Sequence, residues 1–187
     1  YLKKKLIPRY TGGVFISSEA FEREDFKDSF RKLLKYEERN YGLDCEIEIQ
    51  NGREMKVNGA IGLMTPMDST NDSIISEYGI GISGTNKWKV CMMDTYSTYA
   101  FYFEVIHPHE AQQENSFGVI QIRTVYSNIL GQRFMKVSTA ARNWAPKKPS
   151  PSDLLQGFDQ EACAALNAKM AIFRCEDGQS NVVKFLF

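Results

Sequence analysis

Four cysteines in 187 residues, none close to another in sequence, leave little basis for a zinc knuckle. Cys45, Cys91, Cys163 and Cys175 form no C-x-x-C pair and read as buried free thiols in a reducing compartment. A Cys45–Cys91 disulfide would instead mark an extracellular sandwich. Histidine is scarcer still: only His107 and His109 are present. A Ser-His-Asp or Cys-His site has to use one of them, and no G-x-S-x-G elbow accompanies them. No apolar run approaches the roughly 20 residues that span a bilayer. There is no signal peptide, and the chain starts at Tyr1 rather than Met, which reads as an internal piece of a longer polypeptide. Neither sign of charge is in excess: 23 Lys and Arg balance 23 Asp and Glu, which gives no support to nucleic-acid binding. Internal repeats and low-complexity tracts are also missing.

What is present is enough to bury a core. Hydrophobic residues make up 43% and aromatics 12%, which fits a folded globular protein. Residues 1–20 look like the end of an α/β unit, with Thr11-Gly-Gly-Val-Phe-Ile16 as a tight turn into a short buried strand. Phe26, Phe30, Leu33 and Leu34 recur at helical spacing and predict an amphipathic helix over 22–38. From 43 the period falls to two. Leu43, Cys45, Ile47 and Ile49 alternate with Asp44, Glu46, Glu48 and Gln50, as in a strand with one buried and one wet face. Asn51-Gly52 predicts a hairpin, with Met55, Val57, Gly59 and Ile61 on the return arm. Residues 64–76 read as a loop. Lys87–Met93 and Thr98–Ile106 supply further strands.

The longest β signal is a pair of arms, Phe117–Tyr126 and Gln132–Trp144, joined through Ser127-Asn-Ile-Leu-Gly131. It predicts a hairpin at the centre of a sheet, closing an antiparallel sandwich or barrel. Pro146, Pro149 and Pro151 then impose an extended linker. Ser150 and Asp153 mark a helix start, and Leu155, Phe158, Ala162, Leu166, Met170 and Phe173 step along one continuous helix. Asp177-Gly178 ends it, and Trp144 with the linker sets the angle of the helix that starts at Ser152.

Candidate chemistry is sparse. Gly79-Ile-Gly-Ile-Ser-Gly84 matches G-x-G-x-x-G, but a dinucleotide site needs a helix after it, and Lys87-Trp-Lys-Val reads as a strand. A glycine-rich bend or close backbone approach fits better. His107-Pro-His109-Glu110 would place two imidazoles beside a carboxylate, in poor geometry for a metal. Arg123, Arg133, Lys136 and Arg142, with Lys147 and Lys148, form either a basic face toward anionic lipid or a solvated face paired with carboxylates. Of these, Arg142, Lys147 and Lys148 are the membrane- or partner-facing candidates. Lys3-Lys4-Lys5 reads as a solvated helix end, and Asn71-Asp-Ser73 matches a glycosylation sequon that has no meaning in a cytosolic protein.

A resemblance then appears along nearly the whole chain. It rests on Asn58-Gly-Ala-Ile-Gly62, Ile80-Gly-Ile-Ser-Gly-Thr85 leading to Trp88-Lys89, and Tyr102-Phe-Glu-Val105. Ile120-Gln-Ile-Arg-Thr124, Gly131-Gln-Arg133, Thr139-x-x-Arg142-x-Trp144 and Gly157-Phe-Asp-Gln-Glu-Ala162 follow in order. Together they resemble the GTPase-activating subunit of the inner COPII coat, the Sec-twenty-three family. The resemblance implies an α+β fragment. Residues 1–42 would end a von Willebrand A-like trunk, 43–145 would form a β-sandwich (β-barrel-like) domain, and 146–187 would be a linker and the start of an all-α domain. It implies a cytoplasmic protein, peripheral on endoplasmic reticulum membranes and COPII vesicles. The implied partners are a Sec-twenty-four-type cargo adaptor, a Sar-type small GTPase, the outer COPII coat and an anionic membrane surface, with no nucleic acid. The family's arginine finger and its zinc-binding cysteines lie outside this stretch. No catalytic, cofactor-binding or metal residue is therefore expected here, and zinc is expected upstream. The alternatives are the paralogous cargo-binding adaptor and an unrelated β-sandwich enzyme or binding domain.

Overall fold

The structure is a computed structural model that describes residues 7–8, 10–13, 15–34, 41–106, 117–144 and 150–176. The described elements are α1 (Glu24–Leu34), β1 (Gly42–Asn51), β2 (Met55–Ile61), β3 (Thr65–Pro66), a 3-10 turn (Asp72–Ile74), β4 (Lys87–Met93) and β5 (Ala100–Val105). After them come β6 (Phe117–Ser127), β7 (Arg133–Asn143), α2 (Pro151–Gln156) and α3 (Gln160–Glu176). The fold is α+β, and its body is an antiparallel sandwich. One sheet has the order β3-β4-β1-β6-β7 and the other pairs β2 with β5. The core between them holds Cys45, Ile47, Ile49, Val57, Ala60, Met64, Ile82, Trp88 and Val90.

The period-two reading of β1 places Cys45, Ile47 and Ile49 inside, as the structure does, but Leu43 breaks the pattern and is exposed. Asp44 adopts a left-handed backbone (φ 53°), and the β1–β6 register shifts between Leu43 and Glu46. This bulge turns Gly42 rather than Leu43 toward the interior.

The Asn51-Gly52 turn does not close a hairpin. Strands β1 and β2 lie in different sheets. A two-residue type I′ hairpin needs positive φ at both central residues, and neither Asn51 nor Gly52 has it. Instead the Asn51 side chain donates to the carbonyls of Gly52 and Met55 (3.0 and 2.6 Å) and turns the chain across the sandwich.

The β6–β7 hairpin is present over nearly the residues expected, with eleven register pairs from Phe117–Asn143 to Ser127–Arg133. It is not the centre of the sheet. That place belongs to β1, which pairs with both β4 and β6. Strand β7 is an edge whose every residue is exposed.

Three other expectations change. Within 64–76, Met64 and Ile74 are buried, Thr65–Pro66 pairs with β4, and Ile75 bridges to Val57, so the stretch is not simply a loop. The single helix after the linker is two helices broken at Gly157, and Asp159 caps the second by accepting from the Ala162 amide at 2.9 Å. Of the predicted stripe, Phe173 packs against the sandwich core while Leu155, Phe158 and Leu166 remain exposed. Near the N-terminus, Gly12 makes a left-handed turn, but residues 15–18 form no strand and Phe15 is exposed. In α1, Phe26 stacks on Phe30 and meets Phe21 edge-on. Lys3-Lys4-Lys5 lies outside the described residues.

Candidate interaction surface

The outer face of the large sheet is a ladder of opposite charges. Period-two alternation puts Asp44, Glu46 and Glu48 of β1 on that face. The antiparallel register sets Lys89 against Glu46 and Lys87 against Glu48 on one side, and Arg123 against Glu48 on the other. Glu46 accepts from Lys87 at 2.8 Å, and both side chains are about four-fifths covered. Lys89 binds Asp44 and also reaches Glu46 at 3.6 Å. Arg133 extends the ladder from β7 to Glu46 (3.5 Å) and Asp44 (3.8 Å), while Arg123 lies 3.9 Å from Glu48.

The consequences for titration follow from these partners. The Lys89 ammonium holds the Asp44 carboxyl below the usual range, with Arg133 adding to it. Lys87 lowers Glu46 in the same way, against the opposing effect of burial. Lys89 is raised in return, chiefly by Asp44. Thus two of the hairpin's four cations, Arg123 and Arg133, are paired with carboxylates, as the solvated-face reading expects.

The other two cations differ. In register, Lys136 faces Thr124 and Arg142 faces Gly118, on the side of the sheet that leads into the core. No β7 residue belongs to that core. The sheet therefore overhangs its partner at β7. Lys136 and Arg142 make no ion pair among the described residues, and Phe134 on the same side stacks on Tyr126 with ring centroids 5.7 Å apart. At the far end, a Cβ added to Gly118 would lie 2.9 Å from the Trp144 ring, so glycine lets this indole lie against the strand. Lys147 and Lys148 are outside the described residues, so of the three partner-facing candidates only Arg142 is placed.

The glycine-rich stretch is a close backbone approach. Ile82 and Ala60 exchange amide–carbonyl hydrogen bonds of 2.8 and 3.1 Å, and Ile80 donates to Asn58 at 3.0 Å. A Cβ on Gly81 (φ 67°) would sit 2.3 Å from the Ala60 carbonyl oxygen. The buried Trp88 indole donates to the Ile82 carbonyl at 3.1 Å and fixes the bend from within. No helix follows Gly84; β4 does, so the stretch lacks the helix N-terminus a pyrophosphate needs.

Three further placements complete the account. Asn71 uses its side chain to cap the 3-10 turn. Cys45 is buried, and burial pushes its thiol up to about 11; Cys91 is exposed, against the expectation of a buried thiol, and both are free. His107, His109 and Glu110 lie outside the described residues, and among the described residues no three metal-ligating side chains cluster.

Sequence reading missed the most connected polar residue. Buried Asn86 donates to the Ile49 carbonyl (3.0 Å) and the Thr70 hydroxyl (2.9 Å), and accepts from the Thr70 amide (3.0 Å). It ties the 69–71 loop to β1. A polar Asn just before an apolar strand was the available signal.

Residues 42–145 match the profile of the Sec23/Sec24 beta-sandwich domain. Among solved structures, the human COPII-coat protein Sec24c is similar in fold, with a TM-score of 0.63 and 17% identity over 89% of this chain and 19% of that one. The chain thus spans about a fifth of the length of that protein. The matched residues begin at the first residue of β1 and end just past Trp144.

Proposed function

This chain belongs to the Sec23/Sec24 beta-sandwich family, and on that premise we propose that it is a structural part of a COPII inner-coat subunit acting in vesicle budding from the endoplasmic reticulum to the Golgi. One observation carries the reading: the family match covers every strand from β1 to β7. The domain supplies scaffold rather than chemistry.

Within the family, the finer reading is the GTPase-activating type. It rests on Gly157-Phe-Asp-Gln-Glu161 following Trp144 and the proline linker. The cargo-binding adaptor type is the second reading, favoured by the likeness in fold to Sec24c. An arginine finger must be free to reach a transferring phosphoryl group. Arg123 and Arg133 are committed to the carboxylate ladder, so neither suits that role. The finger belongs to another part of the full-length protein. In this reading the partners are the paralogous coat subunit, a Sar-type GTPase and the outer coat. Arg142, Lys147 and Lys148 face an anionic membrane or a partner, and the protein is peripheral on the cytoplasmic side of the endoplasmic reticulum.

Pull-down of the full-length protein with a GTP-locked Sar-type GTPase, compared with the paralogous coat subunit, separates the two types. Direct retention of the GTPase, with acceleration of hydrolysis, is expected; retention of cargo signals without acceleration makes this the adaptor. Residues 1–187 alone should leave GTP hydrolysis at its intrinsic rate, and acceleration by them would overturn the scaffold role. Reversing Arg142, Lys147 and Lys148 to Glu should release the full-length protein from phosphatidylserine vesicles, at roughly 1 kcal/mol per charge. Unchanged partitioning removes these residues from the membrane face.

A further inference from the structure

Helix α3 (Gln160–Glu176) meets the sandwich far along the chain from the linker that leads to it. Lys169 lies 71 residues from Thr98, yet its ammonium donates to the Thr98 hydroxyl at 2.8 Å and to the Thr98 carbonyl at 3.4 Å. Phe173, four residues on and therefore on the same side of the helix, packs against the sandwich core. The neighbouring Arg174 is close enough to Tyr102 to favour its ionised form, against the burial that pushes this phenol up. Earlier in the helix the pattern is different: every residue from Ala164 to Ala168 is exposed. Only the second half of α3 is seated.

The surface that receives Lys169 is built before the helix arrives. Thr98 ends a turn between β4 and β5 that is held by its own hydrogen bonds. The Asp94 carboxylate accepts from the Tyr96 amide (3.0 Å) and the Ser97 hydroxyl (2.7 Å), and that hydroxyl accepts from the Asp94 amide (2.9 Å). Both Thr98 oxygens are thereby offered at a fixed place.

A helix of this length is marginal on its own in water, so α3 depends on docking. Apolar burial of Phe173 favours docking but is non-directional. An ammonium that must reach two oxygens has a defined seat. We propose that the last two turns of α3 are a clamp on the sandwich, in which Lys169 is the positioning residue that seats the helix on the Thr98 turn. The chain then has two anchors, Trp144 against Gly118 before the linker and Lys169 on Thr98 beyond it. With both in place, the helical segment moves with the sandwich rather than following the linker. The contact is within the chain and does not depend on which coat subunit the chain comes from.

Hydrogen exchange by mass spectrometry on the 187-residue chain tests this. Lys169→Ala raises intrinsic helix propensity, so faster exchange in α3 reports a lost seat and not a weaker helix. The α3 amides are expected to exchange roughly three- to tenfold faster, with β1 and β4 unchanged. Lys169→Arg keeps the charge and the donors and should restore most of the protection. Thr98→Val leaves the carbonyl in place and should have the smaller effect. Combined with Lys169→Ala it should add nothing, because the hydroxyl has already lost its partner. Unchanged α3 exchange in Lys169→Ala overturns the proposal. So do effects of the two substitutions that simply add, or a rise shared equally by β4, which would mark general destabilisation.

Discussion

The two ends of the large sheet obey different rules. At the β4–β1 end, alternate side chains meet the β2–β5 sheet, and Trp88, Val90, Ile47 and Ile49 are all but fully buried. At the β7 end, strand pairing is just as regular, yet no side chain is buried. Hydrogen-bonded pairing alone therefore does not make core. The stability of this sandwich is concentrated where two sheets and the 75–86 segment converge, and β7 lies outside that convergence.

This contrast can be broken most sharply at Trp88. Trp88→Ala empties the centre of the core and removes one of the two donors to the Ile82 carbonyl, the other being the Ala60 amide, so a loss of about 3–5 kcal/mol is expected in urea unfolding. A loss below about 1 kcal/mol would mean that the convergence does not hold the fold. Gly81→Ala comes next. The left-handed backbone alone should cost roughly 1–3 kcal/mol, and the Cβ meets the Ala60 carbonyl as well. Thermal unfolding reads this directly, at about 2–4 °C per kcal/mol for a chain of this size.

Trp144→Ala sharpens the comparison at the junction. The indole is half-buried against Gly118, so the loss should be smaller than at Trp88, and limited proteolysis should cut faster between β7 and α2. An unchanged melting temperature and cleavage pattern would remove the junction role. Glu46→Gln probes the charge ladder, with an effect of about 1 kcal/mol at neutral pH. The folded Glu46 carboxyl titrates below its ordinary value of 4.5, mainly through Lys87. Its contribution is therefore full above that value and is lost as pH falls through the lowered one. The gap between wild type and Glu46→Gln should close in acid; a gap independent of pH would contradict the pairing. Smallest of all, Val137→Ser on β7 should stay within about 0.5 kcal/mol in a dilute, monomeric sample.

Much of this was legible in the residues. Alternation marked β1 and β2, and β-branched and aromatic residues marked β6 and β7, because a strand's period of two needs only its own sequence. The glycine bend was readable because the strand after Gly84 denies it the helix of a nucleotide site. What escaped depended on distant partners. Asn51-Gly52 carries hairpin residues, yet its side-chain hydrogen bonds send the chain to the other sheet. Leu43 looks like core, but the Asp44 bulge turns it out. The hairpin looked central because both its arms carry β-branched and aromatic residues, and nothing in a strand's own sequence says how far the opposing sheet extends beneath it. For the candidate surface, Arg142 was visible as a cation, while its separation from the Arg123–Arg133 ladder required the register.

Hydrogen exchange along the large sheet, in dilute monomeric protein, tests the division most directly. The β4 amides that pair with β1 should exchange only through global unfolding, while the β7 amides that pair with β6 exchange orders of magnitude faster at the same stability. Equal protection along β4 and β7 under those conditions would contradict it.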